Sequence, residues 1–207
     1  MSQTYSPIYK KYSSLLTKLS KVVKESRDRV ITSSDSLFVK NVNLFSRSYL
    51  INLCTYLESY LTEITIKIFE RHCKCINQYS VPEVFVLASL SSWNVDKKSR
   101  AVRNYNVSYA KKDIESFLDA NKISGNIKKT LNVFELLGIE LDNKLNSAIK
   151  DQISSIVNKR NDIVHRNNDV TDTSLSDIVL HIKTVRLYMQ EIEKIIQKSE
   201  YDFKKYY

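Results

Sequence analysis

The scarcity of chain-breaking residues constrains this sequence most. Only two glycines and two prolines occur among its 207 residues. Sandwiches, barrels and mixed α/β folds need many tight turns, which these residues build because they supply a positive or a fixed φ. Long helices need few such turns. We therefore predict an all-α protein, and the 43% apolar content is enough to give it a substantial core.

Apolar residues at alternating spacings of three and four predict amphipathic helices in the N-terminal half. The first helix begins with Ser6 as N-cap and Pro7 in the first turn. Its predicted buried stripe is Ile8, Tyr12, Leu15, Leu19 and Val22. Asp35 or Ser36 then caps a central helix that we expect to run unbroken through His72. Its predicted buried positions are Val42, Phe45, Tyr49, Leu53, Leu57, Tyr60, Ile64 and Ile68.

Three further helices are predicted in the C-terminal half. A short one follows Gly125 and stops at Gly138, where a left-handed residue ends a helix. The next carries Arg160 in step with an apolar stripe of Leu145, Ile149, Ile153, Ile156 and Ile163. The last opens with Ser174 and Asp177 in a capping-box pattern. Its predicted seam is Ile178, Ile182, Val185, Met189, Ile192 and Ile196.

The helical pattern weakens between roughly residues 80 and 124, after a short predicted helix opened by Ser80 and Pro82. We interpret this stretch as an insertion in a single domain that spans residues 1–207. The insertion carries Trp93, Lys97, Lys98, Arg100, Arg103 and Tyr105. Cations neutralise phosphates and aromatic rings stack on unpaired bases, so this composition suits single-stranded RNA. The alternative is a solvated loop with a few rings packed on the domain.

Charge and cysteine usage indicate the partners and the compartment. The 32 basic and 23 acidic residues leave a net charge of +9, which favours nucleic acid or an acidic protein as partner, although surface solubility alone also explains it. The three cysteines form no even, spaced framework of disulfides. No signal peptide is apparent, and no stretch approaches the roughly 18 to 20 apolar residues of a membrane span. We expect a cytoplasmic protein with no membrane partner.

The segment KRNDIVHRNN, residues 159–168, combines helical periodicity with reactive side chains. On a helix, Asn161 and His165 are four residues apart and share a face, while Arg160 lies about 100° round. Three polar groups can therefore converge on one ligand. A guanidinium in step with an apolar stripe needs a partner, and its five donors suit a phosphate.

The same residues also admit a purely structural interpretation. Glu58 lies among apolar residues of the central helix, and a carboxylate there needs a cation to offset its desolvation. Arg160 could form an ion pair with Glu58 or with Asp162, while His165 could cap the C-terminus of its helix, where a cation is favoured. We expect Glu58 to approach Arg160.

The pattern from Arg160 through Asn161 to His165 resembles the Arg-x4-6-His motif of HEPN domains, whose arginine is usually followed by a polar residue. The helix SRSYLINLCTYLESYL, with Glu58, and the long amphipathic helix after the motif are similar to the RiboL-PSP type. The resemblance covers about residues 38–72 and 143–197, and it implies a HEPN-like antiparallel helical bundle. The sequence differs from some HEPN toxins at Asn167, where those toxins carry a tyrosine that a partner nucleotidyltransferase modifies.

What the resemblance implies is metal-independent endoribonuclease chemistry, without a cofactor, at a site formed across a homodimer. RNA carries its own nucleophile, the 2′-OH, so cleavage needs a proton carrier and a stabiliser of the phosphorane. His165 would carry the proton, Arg160 would bind phosphoryl oxygens, and Asn161 would orient the imidazole or donate to the phosphate. Glu58 and Asp162 would support them. By analogy the protein would be a toxin or an antiphage-defence effector, with an antitoxin or another defence-system protein as partner.

Other functions have weaker support. Some HEPN proteins are inactive, so the alternative is a catalytically silent helical module that binds RNA or a protein partner. A zinc site at His72, Cys73 and Cys75 is not expected, because three ligands within four residues of a helix cannot all face one tetrahedral centre. His181, beside the last apolar seam, is interpreted as an edge residue with a hydrogen-bonded imidazole. The motifs of P-loop nucleotide hydrolases, zincins and serine hydrolases do not occur.

Overall fold

The computed structural model describes residues 5–78, 125–166 and 173–205, together with positions 86, 116 and 118. In this part of the chain every regular element is an α-helix, which confirms the predicted all-α class. The helices are α1 (Pro7–Ile31), α2 (Ser36–Lys40), α3 (Val42–Gln78), α4 (Ile127–Leu136), α5 (Ser147–Arg166) and α6 (Leu175–Lys205). None of these helices is long and apolar enough to cross a membrane.

The chain divides into two compact units, one formed by residues 1–64 and 121–207 and the other by residues 65–120. Almost all of the predicted insertion, and the helix expected after Ser80, lie outside the described residues. So do all of its candidate RNA-binding residues, Trp93, Lys97, Lys98, Arg100, Arg103 and Tyr105. A single domain with an insertion therefore stays a prediction. The site residues Glu58 and Arg160 both belong to the first unit.

The antiparallel pairing of α1 with α6 forms one side of the first unit. Gln190 Nε2 donates to Tyr9 Oη at 2.9 Å, and Arg186 Nη1 donates to Ser13 Oγ at 3.0 Å. Ser6 is the N-cap of α1, as predicted, since its Oγ accepts a hydrogen bond from the backbone N–H of Tyr9. Residue numbers rise along α1 as they fall along α6, so the two helices run in opposite directions.

A buried carboxylate fixes the start of α1 against the core. Glu193 is 2% exposed, and it accepts from Ser6 N at 3.0 Å, from Ser6 Oγ at 2.8 Å and from Tyr60 Oη at 3.2 Å. The positive end of the α1 dipole offsets the desolvation of this charge. The contact therefore ties α1, α3 and α6 together at one level of the bundle.

The predicted buried stripe of α1 is wrong by one residue at several positions. The buried side chains are Tyr9, Tyr12, Leu16, Leu19 and Val23, with Ser26 at the end. Val22 is instead 46% exposed. Both stripes have the same alternating spacing, so periodicity alone could not choose between them. Packing against α6 and α3 decides which face is buried.

The predicted unbroken central helix is also wrong, because the chain leaves helical geometry at Asn41 (φ −115°, ψ 18°). The Asn41 side-chain amide donates to the Leu37 carbonyl at 2.8 Å, and such local side-chain bonds compete with helical geometry. After this break α3 continues to Gln78, beyond the expected end. Its predicted core positions are buried from Leu53 onward, whereas the first three are half-buried.

Local features of the C-terminal helices match their predictions. All six predicted seam residues of α6 are buried. The capping box is present, because Ser174 N donates to Asp177 Oδ2 at 2.9 Å and Asp177 N donates to Ser174 Oγ at 3.1 Å. Gly138 has a left-handed φ of 71° just after α4. His181 is half-buried beside the seam, as expected for an edge residue, but the predicted hydrogen bonding of its imidazole is wrong at Nε2, which is buried with no hydrogen-bond partner among the described residues.

Candidate active site

Arg160 of α5 forms an ion pair with α3. Its Nη2 donates to Glu58 Oε2 at 3.3 Å, which confirms the predicted approach of these two side chains. Its Nη1 donates to Asn161 Oδ1 at 3.0 Å. The two charged side chains are 23% and 25% exposed, so solvent and salt screen their attraction less than they would on an open surface.

The guanidinium of Arg160 is held in place but keeps donors for a ligand. Its Nε is buried and has no hydrogen-bond partner among the described residues. Each terminal nitrogen carries two N–H groups and uses one of them within the protein. Among the described residues one donor on each terminal nitrogen therefore remains, and guanidinium donors suit the oxygens of a phosphate.

His165 lies on the last turn of α5, and its side chain is exposed. It is four residues after Asn161 and thus on the same side of the helix. An imidazole can accept or donate a proton near neutral pH, and an exposed one can reach a ligand directly. Arg160, Asn161 and His165 are therefore presented by one continuous helix, with Arg160 about 7.5 Å along the axis from His165.

Asp162 also lies on α5 and is half-buried, but the carboxylate that pairs with Arg160 is Glu58. Within the described ranges, no group of three or more His, Cys, Asp or Glu side chains is arranged to hold a metal ion. Cys73 is buried and Cys75 is exposed, so these two thiols, two residues apart on α3, lie in different environments.

Cys54 is a neighbour of the ion pair and was not among the predicted site residues. Its side chain is 1% exposed, and burial raises the pKa of its thiol to about 12. The nearby Arg160 guanidinium opposes this rise and Glu58 adds to it. Cys54 therefore stays protonated as an uncharged packing group. It precedes Glu58 by one helical turn, and that spacing is a signal by which it could have been found.

Gly125 allows close packing beside the same pair. A Cβ atom at this position would lie 2.5 Å from Val157 Cγ2 and 3.4 Å from Leu57 Cδ2. Leu57 adjoins Glu58 on α3, and Val157 lies one turn before Arg160 on α5. The absence of a side chain at Gly125 therefore permits the packing that surrounds the ion pair.

Comparison with known proteins extends the local similarity to most of the chain. The family model of RiboL-PSP-HEPN matches residues 8–198, from α1 through most of α6. No curated protein and no solved structure matches the chain. The matched region contains Glu58 and the whole segment from Arg160 to His165. The chain belongs to the RiboL-PSP-HEPN family.

Proposed function

We propose that this protein is a metal-independent endoribonuclease that cleaves RNA through its own 2′-OH. The observation that carries the proposal is the Arg160 guanidinium, which Glu58 and Asn161 orient while two of its donors remain for a phosphate. His165 is exposed on the same helix, five residues after Arg160, and would supply the proton carrier. Membership of the HEPN family supports RNA or a nucleotide as the ligand class.

The proposed reaction is an intramolecular transesterification. The His165 imidazole takes the proton of the 2′-OH while the 2′ oxygen forms a bond to phosphorus. The bond from phosphorus to the 5′ oxygen breaks, and the departing oxygen takes up a proton from a protonated imidazole, which is His165 of the partner subunit in the dimer proposed below. The products are a 2′,3′-cyclic phosphate and a free 5′-OH. The two donors of Arg160 neutralise charge on the non-bridging oxygens, where it grows in the transition state.

Asn161 has a narrower role in this proposal than the sequence suggested. Its Oδ1 accepts from Arg160, so the side-chain NH₂ is the group left to donate to the phosphate. This contact also fixes the plane of the guanidinium. Asn161 thus acts first on the position of Arg160 and second on the substrate.

We further propose that the site works in a homodimer. Cleavage needs an acid as well as a base, and the motif of one chain supplies one imidazole. A two-fold axis beside α5 would bring a second His165 to the same phosphate. Val164, next to His165, is 50% exposed and would lie in such an interface. Analytical ultracentrifugation should give a dimer, and a monomer at the concentrations that cleave RNA would contradict this proposal.

The decisive experiment incubates the purified protein with RNA in the presence of EDTA. We expect cleavage to persist and the products to carry a 2′,3′-cyclic phosphate. A substrate with a single ribose at one position among 2′-deoxy sugars should be cut only after that ribose. His165→Ala, purified in parallel, controls for contaminating nucleases. Dependence on added Mg²⁺, or cleavage after 2′-deoxy sugars, would overturn the mechanism.

The cellular role follows by analogy with the family: a toxin or an antiphage-defence effector whose partner is an antitoxin or another defence protein. Expression of the wild type should arrest growth, and expression of His165→Ala at the same level should not. Equal growth with both proteins would contradict a toxic role.

One observation favours the alternative of a catalytically inactive module that binds RNA or a protein. Glu58 already neutralises the Arg160 guanidinium, as it would in a purely structural ion pair. In that case the wild type and His165→Ala would bind RNA equally well, and neither would cleave it.

A further inference from the structure

The positive charge of this protein is concentrated on α1. This helix has seven basic and two acidic residues among 25, a net charge of +5 out of +9 for the whole chain. The longer α6 has six basic and five acidic residues, which leaves +1. A general excess of lysine for solubility would not single out one helix. The concentration on α1 therefore points to a surface with a specific use.

Three of the α1 lysines are exposed and have no acidic partner among the described residues: Lys10, Lys18 and Lys24. The other cations are paired, Lys11 with Glu63, Lys21 with Glu25, Arg27 with Asp28 and Arg29 with Asp35. At 100° per residue, Lys10, Lys18 and Lys24 fall within about 120° of one side of the helix. They extend over roughly 21 Å of its length at 1.5 Å per residue.

Arg186 of α6 adds a fourth cation beside this row. Its Nη1 donates to Ser13 Oγ at 3.0 Å, and its Nη2 donates to Thr17 Oγ1 at 2.9 Å. Both hydroxyls belong to α1 residues that lie between Lys10 and Lys18 in the sequence. Hydroxyl groups hold the guanidinium in place without neutralising it, and no carboxylate contacts it in the described part of the chain. Its charge therefore remains available to an anion.

We propose that Lys10, Lys18, Lys24 and Arg186, the α1 basic face, bind the sugar–phosphate backbone of RNA. This inference rests on the proposed function for the identity of the partner, but the residues are separate from the motif on α5. The α1 basic face contacts phosphates away from the scissile bond and holds a long substrate on the protein. Backbone contacts of this kind raise affinity without reading sequence.

The composition of the face favours RNA over other anionic partners. A protein interface needs an apolar, desolvated centre, whereas the exposed residues between these lysines include Ser14 and Thr17. A helix that lies on a membrane needs a free apolar face, but Tyr9, Tyr12 and Leu16 of α1 are buried in the bundle. The cations are separated along α1 and have hydroxyl residues between them. This arrangement matches the repeated charges of a phosphate backbone.

Two matched triple variants test the inference. The first removes the row as Lys10→Gln, Lys18→Gln and Lys24→Gln. The control removes three exposed lysines of α4 and the following segment as Lys128→Gln, Lys129→Gln and Lys144→Gln. Both change the net charge by the same amount, so non-specific electrostatics are held constant. The control lysines also lack an acidic partner in the described ranges.

The measurement is the Kd for a fluorescent RNA with 2′-O-methyl sugars, which cannot react through a 2′-OH, over a series of salt concentrations. The α1 variant should lower affinity by about tenfold or more and reduce the slope of log K against log salt by about two, because three phosphate contacts are lost. The control variant should change the slope by much less. Equal losses in both variants would overturn the inference.

Cleavage assays separate this inference from the proposed function. A dinucleotide is too short to span from a phosphate at Arg160 to a further helix, so the α1 variant should cleave it at the wild-type rate. If the wild type binds RNA without cleaving it and the α1 variant loses this binding, the result supports the α1 basic face and overturns the ribonuclease proposal. Normal RNA binding by the α1 variant, together with weakened binding of a polyglutamate probe, would overturn the inference and assign the face to an acidic protein.

Arg186→Gln, checked for folding by circular dichroism, should weaken RNA binding further when added to the α1 variant. An unchanged Kd would exclude Arg186 from the face.

Discussion

The Nη2 atom of Arg160 lies 3.3 Å from Oε2 of Glu58, a contact between residues that are 102 positions apart in the sequence. Arg160 is on α5 and Glu58 is on α3, so the position of the guanidinium depends on how these two helices pack. Asn161 holds the same guanidinium from within α5. Changes that loosen the packing of α3 on α5 should therefore affect both the stability of the protein and the proposed site.

Glu58→Gln should lower the free energy of unfolding by about 1 to 3 kcal/mol. The substitution keeps the shape of the side chain but leaves a half-buried guanidinium without its counter-charge, a case between an exposed and a fully buried ion pair. Urea unfolding followed by circular dichroism measures the change. Glu25→Gln, which removes the exposed partner of Lys21, should cost less than about 0.5 kcal/mol and serves as the control. Equal losses in the two variants would contradict the expected role of Glu58.

His165→Ala should slow RNA cleavage by about 10² to 10⁴, because it removes the proton carrier. Arg160→Ala should do nearly the same by removing charge stabilisation from the phosphorane. Asn161→Ala should have a smaller effect, since Glu58 still holds the guanidinium. Single-turnover cleavage rates measure these effects, with circular dichroism to verify helical content. Wild-type rates in His165→Ala would show that this imidazole carries no proton in the reaction.

Gly125→Ala should destabilise the protein by about 1 to 3 kcal/mol, because the added methyl group would overlap Val157 Cγ2. Val157→Ala removes that atom, so the double variant should lose less stability than the two single losses added together. Thermal and urea unfolding of all three variants test this coupling. Additive losses would mean that the methyl group is accommodated by other movements.

The stability of the protein should rise with pH up to about 6.5 through His181. Burial lowers the pKa of His181 below its ordinary value of 6.5, the Lys159 cation adds to this, and Asp177 opposes it. The unfolded chain therefore binds the proton more readily than the folded one, so stability is fully present above about pH 6.5 and is lost as the pH falls through the folded-state pKa. His181→Gln should flatten the free energy of unfolding across this range. Parallel urea titrations at several pH values compare the two proteins, and identical profiles would count against His181 as the titrating group.

The three thiols should differ in reactivity. Cys75 is exposed, whereas Cys54 and Cys73 are buried and burial raises the pKa of both. The thiolate is the reactive form, so a thiol reagent should modify Cys75 rapidly in the folded protein and should modify Cys54 and Cys73 only after unfolding. Cys75→Ser should abolish the rapid phase. Rapid modification of Cys54 in the native protein would show that the packing around Arg160 opens readily.

Features that depend on residues close to one another in the chain were predictable from the sequence. The N-cap at Ser6, the capping box of Ser174 and Asp177 and the left-handed stop at Gly138 each involve a few consecutive residues, whose chemistry fixes the local backbone. The α6 seam was predictable because all its apolar positions obey one period. The order of Arg160, Asn161 and His165 along one helix follows for the same reason.

Tertiary packing selects one of several equivalent local patterns. The stripe of α1 that is buried, with Val23 inside and Val22 partly outside, depends on α3 and α6, because both stripes have helical spacing. The break at Asn41 arises where a side-chain hydrogen bond prevails over helical continuity. The chemistry of a buried carboxylate predicted that Glu58 needs a cation, but the sequence left both Glu58 and Asp162 open as the partner of Arg160. The packing of α3 on α5 selects Glu58. Cys54 and Gly125 lie near the ion pair, which no short-range sequence pattern predicts. Cys54 fills space beside Arg160 and Glu58, and the missing side chain of Gly125 leaves space for Val157 and Leu57.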